Sequence, residues 1–176
     1  MGCIFSAKGR DFDVDRFLRK AKFKPKGAWK FVDQREAFHL VMKRSRLKTI
    51  RVWHKGEPYW SRKPNGPQHK HSGFSLDVSK ASFDNLRRPI QDAICFLKAN
   101  KHVLGSLRRF LGVESRDLGF AVNRVRGAAV QWETFPIELL QKTGELDIEL
   151  TLGFYPPDES GRKKTKPSTK KKRTRT

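Results

Sequence analysis

The chain has 176 residues, room for one domain and an appendage. Apolar residues make up 36%, with 13 Phe and 4 Trp, enough for a core, yet no apolar run approaches the roughly 18 residues of a membrane-spanning helix. Lys and Arg number 39 against 18 Asp and Glu, and a net charge of +21 favours polyanionic over cationic partners.

The opening MGCIFS has two readings. As a lipidation signal it offers Gly2 for a myristoyl chain, Cys3 for a palmitoyl and Ser6 at the expected spacing. As structure, GCIFSAKG (2–9) is a first β-strand that carries Ile4 and Phe5 before the Gly9 break. The start lacks the long apolar stretch of a secretory signal. Cys3 and Cys95 are far apart and match no metal-ligand spacing, so both are read as buried free thiols in a reducing, cytoplasmic compartment.

Asp11 and Asp13 offer caps for a helix running to about Lys22, with Val14, Phe17, Leu18 and Ala21 on one face. Pro25 and Gly27 end it, and AWKFV (28–32) reads as a short strand. Asp33 with Glu36 resembles a capping box for a short helix over EAFHLVMK, although FHLVM reads nearly as well as a strand. LKTIRVWHKGEPYWSRK (47–63) has the pattern of a hairpin, with Gly56 and Pro58 at the turn and Tyr59-Trp60 beginning the return. PNGPQHKHSG (64–73) is a loop, and Phe74, Leu76 and Val78 alternate on a strand over 73–79.

Ser82 is a candidate cap for a helix bearing Phe83, Leu86, Ile90, Ile94 and Leu97, regular from near Arg88 because of Pro89, and ended by Asn100. Val103, Leu104, Leu107, Phe110 and Leu111 form a second stripe up to Gly112. Two strands, 117–125 and 128–135, follow through Gly127. Pro136 opens a short helix, IELLQK, closed by Gly144. ELDIELTLGF then places Leu146, Ile148, Leu150, Leu152 and Phe154 on one face of a last strand, with Asp147, Glu149 and Thr151 on the other.

These elements predict an α+β domain over 1–157, a mostly antiparallel sheet with helices packed on one face. Residues 158–176 lack apolar content and are expected to be a disordered Lys/Arg-rich tail. The tail holds nine of the cations, leaving 30 basic against 18 acidic residues, an excess of 12, for residues 1–161. The body is therefore basic in its own right.

The stretches KGRDFDVDRFLRKAKFKP, SGFSLDVS and FPIELLQKTGELDIELTLGFYP, in this order, resemble the bacterial family catalogued as domain of unknown function 4279. The likeness spans roughly residues 2–156. It implies the same α+β layer and carries no catalytic residues. Some members look like immunity proteins of toxin systems, which implies a protein-binding alternative; a charge of +21 departs from the acidic balance of nuclease-neutralising proteins. In a bacterial family the first strand leads into the core, so a lipid anchor at Gly2 is not expected.

No Gly-rich phosphate loop, G-x-S-x-G, H-E-x-x-H or paired CxxC is present, so the chain is read as non-enzymatic and without a cofactor. Asp11, Asp13 and Asp15 alternate as in a calcium loop, but Arg16 replaces its Gly and Lys22 its bidentate Glu. His69 and His71 flank Lys70 without a third ligand, and His39, His54 and His102 stand alone, so no metal site is expected.

Two candidate binding segments remain. In the central hairpin Arg44, Arg46, Lys48, Arg51, Lys55, Arg62 and Lys63 interleave with Trp53, Tyr59 and Trp60. Cations there neutralise phosphates while aromatic faces stack on unpaired bases, and Arg51, Trp53 and Lys55 share one strand face. The competing reading packs the tryptophans into the core and leaves the cations to guard a sheet edge. In the tail, Arg162, Lys163, Lys164, Lys166, Lys170, Lys171, Lys172, Arg173 and Arg175 offer charge without sequence readout; the competing roles are solubility or contact with an acidic protein. The expected function is association with nucleic acid or another polyanion. The alternative is a protein-interaction module of the immunity type.

Overall fold

The start of the chain forms a central strand. A computed structural model describes residues 2–21, 29–33, 48–60, 63–125 and 128–156. In chain order the elements are β1 (Cys3–Gly9), α1 (Val14–Lys20), β2 (Trp29–Asp33), β3 (Lys48–Trp53), β4 (Ser72–Ser79), α2 (Arg87–Ala99), α3 (Lys101–Arg108), β5 (Ser115–Asn123), α4 (Ile137–Glu145) and β6 (Glu149–Tyr155). The strands form one sheet in the order β2-β3-β4-β1-β5-β6. The three inner pairs are antiparallel; β2 with β3 and β5 with β6 are parallel.

Register assigns the two faces. Phe5 lies opposite Leu76 on one side and Leu118 on the other, and Ala7 lies opposite Phe74. Cys3, Phe5, Ala7, Phe74, Leu76, Val78, Leu118, Phe120 and Val122 are all buried and form one apolar layer. The helices cover that layer. Phe17 of α1 stacks on Phe74 at 5.8 Å, Phe96 of α2 meets Phe5 at 5.7 Å, and Leu139 of α4 is fully buried. Each such side chain contributes about 1.5–3 kcal/mol by leaving water. The opposite face carries Lys8, Arg51, Trp53, Ser75, Asp77, Asp117, Glu149 and Thr151. This is the expected α+β layer.

Local chemistry places the boundaries. Asp13 caps α1 by accepting the Arg16 N–H at 2.9 Å. Pro89 sits in the first turn of α2, where no helical N–H is lost. Asn100 is buried between α2 and α3 and donates its side-chain amide to the Phe96 carbonyl at 2.9 Å. Gly112 turns the chain from α3 into β5 at φ 84°, and a Cβ there would lie 2.2 Å from the Asp11 carbonyl oxygen. The Gly2 N–H donates to the Ser79 carbonyl at 3.0 Å and Cys3 is buried, so the chain runs from Gly2 directly into the sheet. Cys95 is half-buried rather than buried, and neither cysteine is in a disulfide.

Several sequence expectations are corrected. The first helix ends at Lys20. Tyr59-Trp60 is not a return strand; β3 pairs with β4, and the residues described between them, 54–60 and 63–71, form an excursion. Ser82 does not cap α2 but turns on itself, its hydroxyl bonded to Asp84. Leu111 is exposed because α3 has already ended at Arg108. Residues 128–135 are not a strand: the position beside β5 is taken by β6, and Gln131 instead ties the segment back to Asn123 and Val125. Gly144 lies within the last turn of α4, and Asp147, at φ 50°, makes the turn that follows. The last strand therefore begins at Glu149, with Leu146 and Ile148 buried ahead of it. The alternatives over 33–43 and the tail expected over 158–176 lie outside the described residues, apart from Asp33 at the end of β2.

Candidate nucleic-acid interface

The excursion between β3 and β4 is tied into a ladder of its own. The Gly56 N–H donates to the His69 carbonyl and the His69 N–H to the Glu57 carbonyl, both at 2.8 Å. The Tyr59 N–H donates to the Pro67 carbonyl at 2.9 Å, and Pro58 bridges Gln68. At the base, the Lys55 N–H meets the Ser72 hydroxyl at 3.0 Å. These bonds close the described part of the loop on itself and on β4.

The loop's side chains form a continuous aromatic run. Trp53 ends β3 on the face away from the helices, opposite Gly73. Its ring stacks near His69 at 5.8 Å and 25°. Tyr59 meets His69 edge-on at 4.2 Å, Trp60 follows Tyr59 at 6.3 Å, and the Lys63 ammonium lies 5.9 Å from the Trp60 ring centroid. Tyr59 is 45% exposed and Trp60 58%. The core-packing alternative for Trp60 is thereby corrected, while Trp53 is half-buried against the sheet.

His54 fastens the loop to α1. Its Nε2 lies 3.0 Å from Asp15 Oδ2 and its Nδ1 3.4 Å from Glu57 Oε2. Burial by itself lowers the imidazole pKa, but the two carboxylates outweigh it and raise the value above the ordinary 6.5. For His69, burial dominates over the pull of Glu57 and lowers the pKa below 6.5. No local motif signals either role, because Asp15 is 39 residues from His54 and meets it only through the fold.

The predicted site residues divide clearly. Trp53, Tyr59, Trp60 and Lys63 come together, and Lys55 lies exposed on the same loop. Arg51 does not join them as a phosphate ligand: its guanidinium donates to buried Asp77 at 3.1 and 3.4 Å. Lys48 is placed in β3 by its backbone. Arg44, Arg46, Arg62 and the tail cations Arg162, Lys163, Lys164, Lys166, Lys170, Lys171, Lys172, Arg173 and Arg175 lie outside the described residues. His69 completes the aromatic run and was not singled out from the sequence for that role.

A cleft of about 530 Å³ opens elsewhere, between the start of α2 and residues 133–136. Its carboxylates are already engaged, Asp84 with Asn123 at 2.8 Å and Glu133 with Gln131 at 2.8 Å, and no nucleophile–base pair lines it. Among the described residues no helix is long and apolar enough to cross a membrane. No family model, curated protein or solved structure matches the chain, so the resemblance given above rests on its own residues.

Proposed function

We propose that the chain binds nucleic acid with unpaired bases, the Trp53–Trp60 loop supplying stacking faces and the lysines of the loop and tail neutralising phosphates. The observation that carries this reading is the exposure of Tyr59 and Trp60 beside Lys63 on a loop braced by its own ladder. Every base has a π-face, so such a platform is sequence-tolerant, and each base stacked on it is worth about 1–3 kcal/mol. The excess charge of the body and tail adds a salt-sensitive attraction that carries no sequence information.

A competition experiment tests it. Full-length protein bound to a labelled single-stranded oligonucleotide is challenged with unlabelled single strand and with duplex of equal phosphate content. Preference for the single strand is expected. Equal competition by duplex reduces the association to charge alone.

A further inference from the structure

We propose that β6 is a self-pairing edge through which two copies of this chain join their sheets about a two-fold axis. Among the described residues β6 is the last strand of the sheet, paired only with β5. Exposed edges are normally blunted by Lys, Pro or a bulge. Between Glu149 and Tyr155 there is no Lys, no Pro and no shift of register. In a chain of net charge +21, no Lys or Arg occurs between Lys142 and Arg162. The strand itself therefore adds no cation to the repulsion between copies, and the guanidiniums of Arg108 and Arg116 beside its start are bound to Asp147 of the same chain. Two nearby acids are already satisfied within the chain, Glu145 by Lys101 at 2.9 Å and Asp147 by Arg108.

The residues of β6 complement themselves. With Leu152 on the axis of an antiparallel pair, Leu150 opposes Phe154, Thr151 opposes Gly153 and Glu149 opposes Tyr155. No charge meets its like, and the Leu150–Phe154 and Leu152–Leu152 pairs extend the helix-side apolar layer across the junction.

The helix layer supplies a second contact. Glu138 of α4 reaches Lys98 of α2 at 2.7 Å, while Leu139 and Thr143 face the sheet. Helical periodicity then puts Ile137, Leu140 and Gly144 on the flank turned away from α2. Since α2 lies over β4 and β1, that flank overhangs the outer edge of β6. Ile137 is 72% exposed and Leu140 47%. A strand edge alone falls short of a stable interface, and this apolar flank extends it. The inference is independent of the nucleic-acid reading, which rests on the loop beside β3.

Sedimentation of the full chain over a concentration series, without nucleic acid, tests it. A monomer–dimer equilibrium is expected. Ile137→Lys with Leu140→Lys, at exposed positions, should weaken it at least about tenfold and leave the thermal unfolding of the monomer in place. In a Cys95→Ser background, Leu152→Cys should oxidise to a covalent dimer. Thr151→Cys should not, because two-fold-related copies of residue 151 lie beyond disulfide reach. A monomer at every concentration, an open-ended polymer, a dimer indifferent to the lysines, or equal cross-linking from Thr151→Cys would each overturn the proposal.

Discussion

Trp53 packs closely on Gly73: a Cβ on Gly73 would lie 2.6 Å from the Trp53 ring and 2.5 Å from the Ala7 carbonyl oxygen. The absent side chain lets an indole rest on the sheet at the root of the aromatic loop. Gly73→Ala should therefore destabilise the protein by about 1–3 kcal/mol and shift the tryptophan emission. Urea unfolding followed by fluorescence measures both. An unchanged midpoint would mean that the indole does not occupy this position.

Arg51 shows how a residue chosen for binding serves the fold instead. Its guanidinium is the partner of a buried carboxylate, Asp77, on the neighbouring strand. Removing one partner of such a pair leaves a buried charge uncompensated, so Arg51→Met should cost about 3 kcal/mol of stability, the low end for a fully buried pair because Arg51 is itself only half-buried. Affinity for nucleic acid, measured at a temperature where the variant is folded, should hardly change. A large affinity loss with unaltered stability would return Arg51 to the binding surface.

The two histidines of the loop should titrate on opposite sides of 6.5. The folded-state pKa of His54 is raised, so its contribution is fully present below the unfolded value near 6.5 and is lost as pH rises through the higher folded value. His69 is lowered, so the folded state resists its protonation, and stability falls as pH drops below 6.5 toward the folded value. NMR titration of the imidazole signals reads each site separately. His54 titrating below His69 would contradict the ion pairs drawn to Asp15 and Glu57.

How far the fold could be read from the sequence depended on the range of the information. The strand at Cys3–Gly9, the Asp13 cap, the alternation of Phe74, Leu76 and Val78, and the stripes of α2 from Ile90 to Leu97 and of α3 as far as Leu107 are local patterns, and they appear where expected, whereas Phe83 and Leu111 fall outside the helices. Residues 128–135 misled because Val130 and Trp132 have strand chemistry but face water, Trp132 at 88% exposure. Nothing nearby in sequence announces that β6 will take the place beside β5. The site was legible in its residue types and not in its geometry. Tyr59 and Trp60 were legible as an aromatic pair, whereas the ladder to Pro67 and His69, the clasp of His54 on Asp15 and the diversion of Arg51 to Asp77 are contacts made only by the folded chain.

The central claim is that exposed rings, and not charge alone, hold the nucleic acid. Its most direct test is the affinity of the full chain for a single-stranded oligonucleotide across a salt series, compared with Tyr59→Ala/Trp60→Ala and with Lys170→Gln/Lys171→Gln/Lys172→Gln. The ring variant should lose about 1–3 kcal/mol per stacked base at every salt concentration, with the slope against salt unchanged. The tail variant should flatten that slope by about 0.7 for each phosphate contact removed and still discriminate single strand from duplex. Equal affinity of the ring variant and the parent at all salts would contradict the account.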